Sequence, residues 1–194
     1  MLPELSSKFP ELRKRIIAPF VINTNPNIIS AIALLAAIAA GYFLWQNILL
    51  PAALLILLNG FLDMLDGEIA KTYKRETKLG DFLDHVFDRL ADVAILLGLT
   101  LNENVPDFLG FGTIILVLLV SYLGTEAQAL TSHRLYAGLL GRGDRLLMMT
   151  IGVLLAIKFG VALYWLAVLL FVLSAISFVQ RFIVISKTLA KEKV

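Results

Sequence analysis

No cysteine occurs among the 194 residues, which excludes a disulfide framework, a thiolate nucleophile and a thiolate metal site, and leaves the redox compartment unread. Charge is also scarce: Asp, Glu, Lys and Arg make up 16% of the chain, the formal net charge is +2, and there are two histidines. Low-complexity segments, periodic repeats and an appended soluble domain are all missing, and nothing in the charge pattern suggests a nucleic-acid partner. What is present is apolar. Hydrophobic residues account for 59% of the chain and the mean hydropathy is +0.85, outside the range of soluble domains, so the sequence predicts an all-α integral membrane protein.

A helix needs about 20 apolar residues to cross the hydrocarbon core. Six such segments can be placed, at roughly 27–46, 48–70, 80–101, 107–130, 145–160 and 161–186. They divide the single domain, 1–194, into a juxtamembrane segment (1–24), a six-helix core (25–186) and a basic tail (187–194). The first run offers small residues in "AAIAAGYF", as a cleaved leader would, but its length and Trp45 at its far end mark it as a span. Before it, "PELRKRIIAPF" repeats apolar residues at Leu12, Ile16 and Phe20 with basic residues between. This fits a short amphipathic juxtamembrane helix in the headgroup layer; a solvated linker fits as well.

Six spans place both termini on one side. Lys8, Arg13, Lys14 and Arg15 precede the first span, Lys71, Lys74, Arg75 and Lys78 follow the second, Arg134, Arg142 and Arg145 follow the fourth, and Arg181, Lys187, Lys191 and Lys193 end the chain. Only Arg89 and Lys158 fall elsewhere. The positive-inside rule then makes both termini cytoplasmic in the cell membrane.

The charged stretch "DMLDGEIAKTYKRETKLGDFLDHVFD", residues 63–88, lies between two of these runs. Asp63 and Asp66 are three apart at the end of the second span, and Asp84 and Asp88 are four apart at the start of the third. Each pair shares a helix face. Carboxylates at such depth cost on the order of 3 kcal/mol each on lenient insertion scales and repel one another unless protonated or neutralised by cations. Hard divalent ions with oxygen ligands meet that need. Gly67 and Gly80 suit the close approach of a substrate; a loosened helix end and a helix cap are the plainer readings. Asp81 fits a first-turn dipole partner, and Asp92, one turn beyond Asp88, either pairs with Arg89 or joins the metal cluster. His85 and His133 read as polar-interface residues, and Glu68 and Glu76 as solvated loop charges.

"DMLDGEIAK" followed by "GDFLDHVFD" resembles the signature of the CDP-alcohol phosphotransferase family, D-x-x-D-G-x-x-A-R-x8-G-x-x-x-D-x-x-x-D. Asp63, Asp66, Gly67, Ala70, Gly80, Asp84 and Asp88 stand at the family's spacing, and Lys71 replaces its arginine. Lysine keeps the charge and loses the planar fork, so that contact with phosphate changes its geometry. The resemblance implies transfer of a phosphatidyl-type group, on a diacylglycerol or archaeol base, from a CDP-lipid to an alcohol, with release of CMP. It implies two divalent ions, Mg²⁺ or Mn²⁺, held by Asp63, Asp66, Asp84 and Asp88, with Asp88 also the general base. It implies CDP-lipid contacts at Asp63, Asp66, Gly67, Ala70, Lys71, Thr77 and Gly80, and at Asn27 of the "NPN" run, which reads equally as a helix cap. A homodimer embedded among membrane lipids is implied as well.

"AGLLGRGDR" is similar to the corresponding part of the branch that uses inositol phosphate. A small phosphorylated polyol, inositol 1-phosphate, is therefore the expected acceptor, bound by Arg134, Arg142 and Arg145 with Lys74 or Arg75 assisting, since arginine suits phosphate. The plainer reading of those arginines is contact with anionic lipid heads. Glycerol 3-phosphate or serine is the alternative acceptor. A cation transporter is the competing class, disfavoured because the acidic groups gather at one surface, and a non-catalytic scaffold leaves them without a reason.

Overall fold

The computed structural model describes residues 17–131 and 138–190. Among them there are no strands, and six long helices follow one another: α1 (Pro26–Trp45), α2 (Leu49–Thr72), α3 (Lys78–Thr100), α4 (Asp107–Thr131), α5 (Arg142–Lys158) and α6 (Ala162–Leu189). The expected boundaries hold to within a turn. The last helix runs past its expected end at 186 to Leu189, with Lys187 in its final turn, where a cation meets the negative end of the helix dipole. Of the juxtamembrane segment, Ala18–Phe20 forms a short 3₁₀ turn, while Leu12, Ile16, His133, Arg134, Lys191 and Lys193 lie outside the described residues.

Four of the helices, α1, α2, α4 and α6, are long and apolar enough to cross a bilayer. The other two differ for separate reasons. Helix α3 carries Asp81, Asp84, Asp88, Arg89 and Asp92. Helix α5 has 17 residues, which at ~1.5 Å per residue span about 26 Å against a hydrocarbon core of about 30 Å.

Without water to drive helices together, association in a membrane depends on close van der Waals packing between small side chains. Helix α1 supplies them: Ala33, Ala36, Ala37, Ala40 and Gly41 are buried against α2 and α3. At the α1–α3 crossing backbones touch. A Cβ on Gly41 would lie 2.2 Å from the Ala94 carbonyl oxygen, and one on Gly98 would lie 2.0 Å from the Gly41 carbonyl oxygen. Helix α5 packs between α2 and α6, and α4 against α3 and α6. Large side chains such as Leu35, Leu54, Phe108, Ile115 and Trp165 point outward, as a lipid-facing surface requires.

Buried polar groups tie the helices end to end. Asn59 of α2 donates to the Ala33 carbonyl at 2.9 Å, and Asn102, after α3, donates to the Leu44 carbonyl at 2.8 Å, joining the Asn47 amide at that acceptor at the end of α1. At the opposite end of the bundle Ile17, Leu65 and Ile69 form a second small core. Phe20 meets Phe61 edge-on there, centroids 5.2 Å apart, so the residues before α1 are clamped to the charged end of α2.

Candidate active site

The α2–α3 turn decides where the aspartates go. Helix α2 ends at Thr72, Lys74 takes a left-handed backbone (φ 53°), and Thr77 starts α3 by accepting a hydrogen bond from the Gly80 amide at 3.0 Å. This N-cap is the commonest use of threonine at a helix start. With α2 and α3 antiparallel across this turn, the last turns of one face the first turns of the other. Oxygens of Asp63, Asp84 and Asp88 then lie within 4.8 Å of one another. Asp66 lines the same polar pocket, together with Ser30, Asn59 and Arg142, and accepts a hydrogen bond from the Ser30 hydroxyl at 2.5 Å.

A cation already belongs to this geometry. Arg142, the first residue of α5, reaches between the helices, its Nη1 2.6 Å from Asp63 and 2.9 Å from Asp88. Its Nε lies 3.6 Å from Asp92. Arg145, one turn on, is buried and paired with the second oxygen of Asp92. A cluster of carboxylate oxygens that draws a guanidinium into its centre offers the hard, anionic donors that Mg²⁺ or Mn²⁺ requires, so the residues present fit such ions.

Other expected site residues are placed as follows. Gly67 has no atom within 4 Å of where a Cβ would stand. It sits four residues beyond Asp63, on the same face of α2 and one turn nearer the helix end, leaving open space beside the carboxylates. Gly80 faces the Asn27 side chain, which would be 3.3 Å from a Cβ. Asn27 is thereby brought to the start of α3, while Asn25 caps α1 by accepting from the Asn27 amide at 3.0 Å. Ala70 is half-buried in the last turns of α2, and Lys71 and Thr77 are exposed near the turn. His85 lies 3.7 Å from Asp84 and 3.8 Å from Asp81.

One expectation is corrected. Asp92 does not pair with Arg89, whose Nη1 instead donates to the His85 carbonyl at 3.0 Å. It pairs with Arg142 and Arg145, because it points inward to α5 from the α3 face that carries Asp88. The basic residues expected to bind the acceptor lie in different places. Arg142 lies inside the cluster and Arg145 behind it, while Arg75 donates to the Thr24 carbonyl at 2.7 Å and packs over Tyr73, bracing the turn.

Sequence reasoning missed Ser30. The signal was available, as a lone hydroxyl one turn into an alanine-rich helix, but its partner is 36 residues away. It also missed the apolar cavity of about 580 Å³ between α2 and α5, which is lined by Leu54, Leu57, Phe61, Leu146 and Leu147 and has Asp63 and Arg142 at its polar end.

Comparison with known proteins agrees with this arrangement. A family model described as CDP-alcohol phosphatidyltransferase matches residues 23–173. Archaetidylinositol phosphate synthase of Pyrococcus horikoshii is 36% identical over 162 residues, covering 82% of each chain. The protein of that name from Methanothermobacter thermautotrophicus is 33% identical over 116 residues, covering 60% of this chain and 58% of its own. In fold, the chain resembles Mycobacterium tuberculosis phosphatidylinositol phosphate synthase crystallised with CDP-DAG, with TM-score 0.79, 23% identity and coverage of 95% of this chain and 98% of that one. The same Mycobacterium tuberculosis synthase in complex with manganese and citrate also aligns with TM-score 0.79, at 22% identity over 94% and 93% of the chains. With the signature aspartates gathered at one end of a six-helix bundle and the family model spanning residues 23–173, the chain belongs to the CDP-alcohol phosphatidyltransferase family.

Proposed function

We propose that this membrane protein transfers the lipid-bearing phosphoryl group of a CDP-lipid, built on diacylglycerol or archaeol, to a hydroxyl of inositol 1-phosphate and releases CMP. The observation that carries the reading is the convergence of Asp63, Asp84 and Asp88, with Asp63 also at the polar end of an apolar cavity. A lipid donor needs such a junction, with hydrocarbon on one side and charge for a diphosphate on the other.

In this reading Asp63, Asp66, Asp84 and Asp88 hold two divalent ions, which when bound neutralise the diphosphate and the developing charge on attacking and leaving oxygens. Asp88 takes the proton of the acceptor hydroxyl. That oxygen forms a bond to the lipid-side phosphorus as the bond to the bridging oxygen breaks, and CMP departs with the electron pair. The open face at Gly67 admits the diphosphate, with Ala70, Lys71, Thr77, Gly80 and Asn27 along its edge. The cavity between α2 and α5 takes a hydrocarbon chain, and Arg142 is the guanidinium nearest to meet the acceptor's phosphate. The excess of lysine and arginine at one end of the bundle supports a six-span topology with both termini and the site cytoplasmic. A homodimer completes the proposal.

A cation path across the membrane is not supported. The acidic groups gather at one end of the bundle, and deeper in it Thr100, Thr113 and Thr150 each donate to the carbonyl four residues back in their own helices.

Purified protein with Mn²⁺, a CDP-lipid and inositol 1-phosphate should release CMP, and Asp88→Asn should stop release while leaving thermal unfolding unchanged. Release with glycerol 3-phosphate and none with inositol 1-phosphate would overturn the acceptor. Full activity in the variant would overturn the base.

A further inference from the structure

The ion pairs around Arg142 are incomplete in a specific way. Its Nη1 serves both Asp63 and Asp88, yet its Nε is buried without a hydrogen-bond partner, and so is Oδ1 of Asp92. These two orphaned atoms are 3.6 Å apart, just beyond hydrogen-bond length. Asp92 is 9% exposed, and its other oxygen is fixed by Arg145, so the unsatisfied oxygen is aimed at Arg142 and cannot turn away. A small retreat of the guanidinium toward Asp92 would satisfy both atoms and would loosen its hold on Asp63 and Asp88. Gly141 and Gly143 flank Arg142, and space around Gly143 is open, so little opposes that shift.

We propose that Asp92, a residue outside the signature, is a positioning residue that receives Arg142 when divalent cations take Asp63 and Asp88. In the metal-free chain Arg142 neutralises the cluster. With ions bound, its Nε pairs with Asp92 while its terminal nitrogens stay available to a phosphate, the anion a guanidinium holds best. Arg145 keeps Asp92 in place for this exchange. The inference rests on the proposal that these aspartates bind divalent ions, and its test separates the two.

Structures of the wild-type protein should be determined with and without MnCl₂, using manganese anomalous signal to locate the ions. The expected result is manganese on Asp63 and Asp88, with Arg142 Nε hydrogen-bonded to Asp92. Manganese bound there with Arg142 elsewhere would overturn this inference alone; no manganese at those aspartates would overturn both it and the metal reading. Manganese affinity, from the electron paramagnetic resonance signal of free Mn²⁺, gives a second readout through a double-mutant cycle. Asp92→Asn should weaken binding about tenfold in wild-type background, where Arg142 loses its alternative partner, and less than about threefold in Arg142→Gln. Equal weakening in both backgrounds would show that Asp92 acts on the ions directly. Should Asp92→Asn fail to fold, because Arg145 is left buried without its counter-charge, the wild-type structures decide.

Discussion

Replacing Gly67 by alanine sets two physical effects against each other. Gly67 lies within α2, and nothing stands within 4 Å of the position a Cβ would occupy. Alanine there meets no obstacle and removes the conformational freedom that glycine gives the unfolded chain, a gain of about 0.5–1 kcal/mol. For a chain of this size each kcal/mol moves the midpoint by about 2–4 °C, so thermal unfolding in detergent, followed by the fluorescence of Trp45 and Trp165, should rise by about 1–4 °C. Activity should move the opposite way. The open face lies one turn beyond Asp63, where the proposed diphosphate must approach the backbone. A methyl group would hold the donor off by about 1 Å, and misplacement on that scale costs about 100-fold in rate. Gly67→Ala should therefore be slightly more stable and about 100-fold lower in kcat/KM for CMP release. A variant that keeps wild-type kcat/KM would show that the space beside Gly67 is mere solvent, and a fall in midpoint would show that the packing around it has been misjudged.

Gly98→Ala should behave in the opposite manner, since its Cβ would stand 2.0 Å from the Gly41 carbonyl oxygen and force α1 and α3 apart; a loss of at least about 1–3 kcal/mol should lower the unfolding midpoint, and an unchanged midpoint would refute the backbone contact. Ser30→Ala removes the hydrogen bond to buried Asp66 and should weaken Mn²⁺ binding several-fold, with Ser30→Thr restoring it; equal affinity in all three proteins would remove Ser30 from the site. Asn102→Ala removes the side-chain hydrogen bond to the Leu44 carbonyl, which still accepts from the Asn47 amide, and should destabilise by about 0.5–1.5 kcal/mol with the Mn²⁺ affinity of the folded protein untouched, because it acts at the opposite end of the bundle; a large affinity loss would contradict that separation.

The helices were legible because apolar runs long enough to cross a bilayer leave few alternatives: every backbone polar group in lipid must be satisfied within its own segment. The aspartates were legible because spacings of three and four on adjoining helices fix their faces without tertiary information. Side-chain partners across the bundle follow no local rule. Asp92 and Arg145 are 53 residues apart, and Asp92 was matched to Arg89 because that residue was near in sequence. The positive-inside rule counts Arg142 and Arg145 only as charges at one end of the bundle and does not say that they turn inward from the start of α5. Likewise, the meeting of Gly41 with Gly98 depends on the crossing of two helices far apart in sequence.

Arg142 and Arg145 also explain how so much negative charge is stored before any ligand arrives. Asp63, Asp88 and Asp92 pair with these two guanidiniums and Asp66 and Asp84 line the same pocket, so in their ordinary ionised forms the carboxylates outnumber the cations. A cluster balanced charge for charge would have little hold on further cations, and one without arginine would meet the full repulsion of its carboxylates on folding. The excess is intermediate, and Arg142, on a helix end flanked by glycines, is by the inference above the movable part of the balance. Arg145, buried and committed to Asp92, is the fixed part. Such an assembly folds with only part of its charge paired, and in the proposed reading the remainder is what divalent cations would meet.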